Sequence, residues 1–208
     1  MHYAQNQIKI GSISTSEREL KDILKAWAAI SIAFAVILSE SVFSRNFYAK
    51  FIIASLTVGT GFLLHELGHK VVAQRYGCFA EFRSFDNMLL LAIAMSFLGF
   101  IFAAPGAVVI SGRVNKKRNG IISAAGPIVN LVLAAVFLIM ILVPLPSLFK
   151  SVSYYGFMIN SWLALFNMIP FWLFDGHKIL KWDKTAYGLI LVIALALMLL
   201  QNFISMPK

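Results

Sequence analysis

Residues 51–70 read FIIASLTVGTGFLLHELGHK. From Phe51 to Leu64 the stretch is apolar or small and uncharged; then His65, Glu66, His69 and Lys70 follow within six positions. A run of this length approaches the ~20 residues with which a helix crosses a bilayer. Ionisable side chains at the end of such a run are costly in lipid, so they mark a working site rather than a solvated surface. The stretch therefore predicts a membrane helix that carries chemistry at one end.

The rest of the chain agrees. It has 208 residues, of which 60% are hydrophobic and 13% charged, with a mean hydropathy of +0.81, whereas soluble domains are about 45–50% apolar. That excludes an ordinary soluble domain and predicts one membrane-embedded domain over 26–206, its core at about 51–180, behind a polar tail at 1–25. The single cysteine, Cys78, excludes a disulfide scaffold and a cysteine-rich metal site. The net charge of +9 is read as membrane topology, because the basic residues crowd the short polar segments between apolar runs. No nucleic-acid partner is expected.

Six apolar runs stand out, at about 26–43, 51–69, 88–112, 121–149, 151–174 and 185–206. The third has only seventeen residues, 88–104, before the helix-breaking pair Pro105-Gly106. If all six cross the membrane, Lys and Arg divide evenly, nine to each side. If the third run dips in and returns, Arg113, Lys116, Lys117, Arg118, Lys178, Lys181 and Lys184 join the inner side, Lys150 and Lys208 leave it, and the division becomes 14 to 4. The positive-inside rule selects the second arrangement. The expected fold class is thus an all-α polytopic membrane protein with about five transmembrane helices, a re-entrant hydrophobic segment and a short β-hairpin. It is expected to be a multi-pass protein of the cell membrane, with its N-terminus and active-site side cytoplasmic and its C-terminus outside.

Of the nine acidic residues, only Glu66 and Asp175 lie near the inner ends of long apolar runs, while Glu40 falls near the outer end of the first. Two costly carboxylates at one depth predict one shared site. Glu66 stands in His65-Glu66-Leu67-Gly68-His69. On a helix, positions i and i+4 share a face, so His65 and His69 can hold one Zn²⁺ while Glu66, turned aside, serves as a base. A catalytic zinc commonly takes three protein ligands. Asp175 and His177 compete for the third place, and Asp175 is preferred for its position at the end of the run. The β-branched stretch Ala107-Val108-Val109-Ile110, between Gly and Pro breakers, predicts a short strand within 105–112, with 79–85 as its companion. Such an edge would bind an unwound substrate by strand addition. Trp27, Trp162, Trp172 and Trp182 are expected as interfacial anchors, and Gly126-Pro127 as a packing feature near a helix start.

Three motifs together resemble the site-2 protease family of intramembrane zinc metalloproteases. His65-Glu66-Leu67-Gly68-His69 is similar to its H-E-x-x-H, and Ala125-Gly126-Pro127-Ile128-Val129-Asn130 to its A-G-P-x-x-N. Asn167-Met168-Ile169-Pro170 followed by Phe174-Asp175-Gly176 is similar to its N-x-x-P-x-x-x-L-D-G. Order and spacing agree over about 51–180. The resemblance implies that His65, His69 and Asp175 bind one Zn²⁺ per chain and that Glu66 is the catalytic acid/base. It also implies a three-helix core with the metal inside the membrane toward the cytoplasm. Asn167 and Asn130 are expected to contact substrate, as are Ala107, Val108, Val109 and Ile110. Phe174 and His177 depart from the family pattern, and no PDZ or CBS domain is evident. The implied activity is hydrolysis of peptide bonds within or near transmembrane segments, with membrane proteins as substrates and the lipid bilayer as surroundings. The alternatives are an inactive relative that binds membrane proteins, and a metal or ion transporter.

Overall fold

The structure is a computed structural model that describes residues 7–11, 13–39, 45–101 and 105–205. Readings that fall on residues 1–6, on Glu40, on 102–104 or on 206–208 lie outside these. A small antiparallel ribbon, β1 (Gln7–Ile10) and β2 (Ile13–Ser16), leads into helix α1 (Glu17–Leu38). Ser16 starts the helix by accepting a hydrogen bond from the Glu19 N–H at 3.2 Å. The expected polar tail is therefore built structure from Gln7 onward, and Glu19 is fully buried. Its carboxylate meets Lys70 Nζ at 2.5 Å and accepts from the Thr15 hydroxyl at 2.7 Å. Local hydropathy cannot register a charge that is neutralised from 51 positions away.

Helix α2 (Phe47–Ala54), one π-helical turn (Ser55–Gly59) and helix α3 (Thr60–Arg75) run on as a single helix of 29 residues. The wide turn leaves Ser55 O able to accept from Trp27 Nε1 at 3.1 Å and from the Thr60 hydroxyl at 2.8 Å. Trp27, expected at the membrane interface, is partly buried and packs against the wide turn and Phe51.

Strands β3 (Phe79–Ser84) and β4 (Gly106–Ser111) pair antiparallel, as their alternation predicts, with Phe82 opposite Val108 and Ser84 opposite Gly106. Between them lies α4 (Asp86–Ser96). Cross-strand partners stand about 5 Å apart, so the chain that leaves Ser84 comes back to the same place at Gly106. Helix α4 therefore leaves from the same end of the ribbon at which β4 begins.

Four helices complete the fold: α5 (Lys116–Ile141), α6 (Ser147–Asn167), α7 (Asp175–Trp182) and α8 (Lys184–Leu200). The run expected to continue to residue 174 breaks at Asn167, because Pro170 has no N–H to donate and pushes its predecessor out of helical geometry. Asp175 consequently begins a new helix rather than ending an old one. Helix α5 lies at the centre, against α3, α6 and α7. Ala124, Leu131, Ala164, Met168 and Ile179 form the core on one side; Leu63, Phe82 and Leu89 form it on the other.

Among the described residues, three helices are long and apolar enough to cross a membrane: Phe47–Arg75, Lys116–Ile141 and Lys184–Phe203. The five expected spans thus reduce to three by this measure. Helix α1 is charged through its first turns, and α6 carries Ser153, Asn160 and Ser161, all fully buried and bonded within the protein.

Candidate active site

His65 and His69 fall one turn apart on α3, and their Nε2 atoms stand 3.1 Å apart. Asp175, in the first turn of α7, brings Oδ2 to 3.3 Å from His65 Nε2 and 3.0 Å from His69 Nε2. All three side chains are buried. Each imidazole uses its other nitrogen as a donor: His65 Nδ1–H to Asn130 Oδ1 at 2.6 Å, and His69 Nδ1–H to Ile122 O at 2.7 Å. With both rings neutral, each Nε2 presents its lone pair toward one carboxylate oxygen. Three lone pairs converging in a buried space repel one another unless a proton or a metal cation lies among them. Bonds of about 2.0–2.1 Å at tetrahedral angles space ligand atoms by roughly 3.3 Å, close to the triangle found here. The donor set and its outer partners thus fit a tetrahedral metal ion such as zinc.

Local structure explains how these atoms meet. Pro127 lies inside α5 and cannot donate to Ser123 O, which loosens the turn from which Ile122 O reaches His69. Gly126 is placed so that a Cβ there would come within 2.5 Å of both Nε2 atoms. The A-G-P stretch is thus not a packing feature at a helix start: it lies ten residues into α5 and forms a wall of the metal position. Gly176 performs a similar service for Asp175, since any Cβ would run into the Met168 carbonyl at the end of α6. Lys178 Nζ approaches Asp175 Oδ1 at 3.4 Å, leaving Oδ2 for the histidines.

Glu66 turns away from this trio, as its place in the motif requires. Its Oε2 accepts the N–H of Val108 at 3.0 Å, so the carboxylate touches the outer edge of β4. The outer edge of β3 is filled by other side chains: Phe82 N–H donates to Glu19 Oε1 at 2.8 Å, and Ala80 O accepts from Gln74 Nε2 at 2.9 Å. Ala107, Val108, Val109 and Ile110 all lie on β4, with Val109 exposed.

The remaining candidates separate. His177, partly buried on α7, is not among the converging ligands. Asn167 closes α6 and donates to Leu163 O at 2.9 Å. Asn130, expected to contact substrate, is fully buried and its amide bonds to His65, Gly61 and Asn160. Ile122 O, Gly126, Lys178 and Asn160 were not read from the sequence as parts of the site. A backbone carbonyl gives no residue-level signal, and Asn160 sits in no motif.

Over 179 residues, 84% of this chain and 90% of the relative, the sequence is 40% identical to "Putative zinc metalloprotease MJ0611" of Methanocaldococcus jannaschii. The chain belongs to this zinc metalloprotease family. "Zinc metalloprotease MJ0392" of the same organism is 28% identical over 153 residues, 70% of this chain and 38% of that protein. No family model and no solved structure matches the chain.

Proposed function

We propose that this metalloprotease is an intramembrane zinc endopeptidase of the site-2 type, which hydrolyses peptide bonds within or beside transmembrane segments of membrane proteins. One observation carries the reading: the ligand pair and Glu66 lie on a continuous 29-residue helix that is long and apolar enough to cross a membrane. His65, His69 and Asp175 would hold the zinc. When bound there, zinc supplies Lewis-acid polarisation of the scissile carbonyl and of the attacking water.

The chain's own residues do the rest. Glu66 takes the proton of the attacking water and delivers it to the departing amine. A transmembrane helix hides its peptide groups in its own hydrogen bonds, so a substrate must be unwound and held extended before any bond is reached. With the outer edge of β3 filled by Glu19 and Gln74, the edge of β4 is where an extended chain can add. Glu66 contacts that edge at Val108, so a segment laid along Ala107–Ile110 would pass the acid/base and the trio together. Asn167, at the end of α6, is proposed to steady that segment. In this reading α1 and α6 span the bilayer beside the three more apolar helices, 88–104 dips in from the cytoplasmic side, and the site opens toward the cytoplasm.

The test is cleavage of a fluorogenic transmembrane peptide by the detergent-solubilised chain, alongside its zinc content. Wild type should carry about one zinc and cut, while Glu66→Gln should keep the zinc and lose the cutting. Reporter tags after Asn87 and after Asn115 should report the same side of the membrane. Zinc without cleavage, with Glu66→Gln behaving as wild type, would instead favour a binding or transport role.

A further inference from the structure

Two asparagines and two glycine carbonyls behind His65 form a chain of hydrogen bonds with a single direction. His65 Nδ1–H donates to Asn130 Oδ1 at 2.6 Å. The Asn130 amide nitrogen donates to Gly61 O at 3.2 Å and to Asn160 Oδ1 at 3.0 Å. The Asn160 amide nitrogen donates in turn to Gly156 O at 2.9 Å. Both asparagines are fully buried, on α5 and α6 respectively, and His65 on α3 is nearly so.

The direction is forced by the far end. Backbone carbonyls only accept, so Gly156 O requires the NH₂ of Asn160 and turns its oxygen toward Asn130. That oxygen and Gly61 O, two acceptors, take both N–H groups of Asn130, whose own oxygen is left facing His65. A reversed Asn130 would press its oxygen against two acceptors in a fully buried position. His65 Nδ1 must then carry a proton, which in the neutral ring leaves the lone pair on Nε2. The fit is close: a Cβ on Gly61 would come within 2.6 Å of Asn160 Oδ1.

We propose that Asn160 is a positioning residue for the metal site: through Asn130 it locks His65 in the Nδ1–H tautomer, with Nε2 aimed at the metal. The proposal rests on the reading of His65 as a metal ligand and extends it to a helix that supplies no ligand. Ser161 makes a control, since it is equally buried on the same helix but bonds only to Phe157 O.

The experiment uses the full chain in detergent and two readouts: competitive zinc titration against a chelator, and ¹⁵N NMR of the His65 ring in metal-free protein. Asn160→Leu should raise the zinc Kd by about 10–100-fold, the range for outer-shell partners of metal ligands, and mix the His65 tautomers. Asn160→Asp, neutral in this buried position, donates its hydroxyl proton to Gly156 O and keeps an acceptor toward Asn130, and should return the Kd to within a few-fold of wild type. Ser161→Ala should move neither readout. If Asn160→Leu does not fold, Asn160→Ala removes the same acceptor without added bulk and is read in the same way. Wild-type affinity together with a pure Nδ1–H tautomer in the Leu or Ala variant would overturn the proposal. Because the tautomer is read without metal, a wild-type chain that bound no zinc would sink the metalloprotease reading while the lock on His65 was still decided.

Discussion

Two glutamates cap the same rung of one ribbon. Phe82 and Val108 are cross-strand partners whose N–H groups point outward, one to Glu19 and the other to Glu66. Their surroundings then differ. Glu19 is fully buried, neutralised by Lys70 and bonded to Thr15. Glu66 is only partly buried, and among the described residues no Lys or Arg pairs with it. The first carboxylate closes an edge permanently; the second lies on an edge that can be taken by another chain. The same contact is structural where every lone pair is matched and available for reaction where it is not.

The harshest way to separate the two sides is Gly126→Ala. The added Cβ would fall 2.5 Å from both ligand nitrogens, so zinc binding and cleavage should both be lost. The Glu19 side should be untouched, and the cost in stability should be only the ~1–3 kcal/mol typical of overpacking. Zinc analysis beside a melting curve decides this; wild-type zinc content would mean that Gly126 does not bound the metal position. Next in size, Glu66→Gln should reduce cleavage by about 10²–10⁴-fold, as expected for a lost general acid/base, with little change in melting temperature. Glu19→Ala should do the reverse. Leaving Lys70 buried and unpaired should cost about 3–5 kcal/mol, while the folded fraction retains its turnover per molecule. Replacing both partners, Glu19→Leu with Lys70→Met, should recover much of that loss. Equal melting shifts for the two single glutamate variants would break the comparison.

A smaller effect sharpens it. The Val108 N–H points away from β3, so Val108→Pro removes no rung of the ribbon; proline is tolerated on an edge for that reason. Cleavage should fall by about tenfold, the worth of one hydrogen bond of roughly 1–1.5 kcal/mol, with the melting temperature nearly constant. Loss of the folded state in this variant would mean that the outer edge of β4 also supports the fold.

How far the sequence alone reaches follows the same division between local and distant partners. His65, Glu66 and His69 were legible because helical spacing places them, and β3 and β4 because alternation and breakers bound them. Three things were not. Burial of Glu19 depends on Lys70, the end of α6 at Asn167 on a proline three residues later, and the service of Asn130 to His65 on a carbonyl in a third helix. Each is fixed by a partner that periodicity does not see, and in each the polar group proved more deeply built in than composition implied.

The smallest expected effect lies on the surface near the ribbon. Lys25 Nζ stands 2.7 Å from Asp86 Oδ1 and 3.1 Å from Asp22 Oδ1, joining α1 to the start of α4. Hydrogen bonds from Lys25 and from the Ser84 hydroxyl hold the Asp86 carboxyl below its usual range, and the hydrogen bond to Asp86 raises the Lys25 ammonium. A lowered carboxyl stabilises the fold above its unfolded value of about 3.9 and ceases to do so as pH falls through the folded value. A raised ammonium acts below about 10.4 and is lost as pH climbs past the folded value. Asp86→Asn should therefore melt slightly below wild type between those limits, and the gap should close in acid and shrink in high salt. Because both groups are exposed, the gap should be near the limit of detection. A gap as large as that of Glu19→Ala, or one that widened in acid, would mean that α4 is anchored through this pair, and the division between buried and open carboxylates would have to be redrawn.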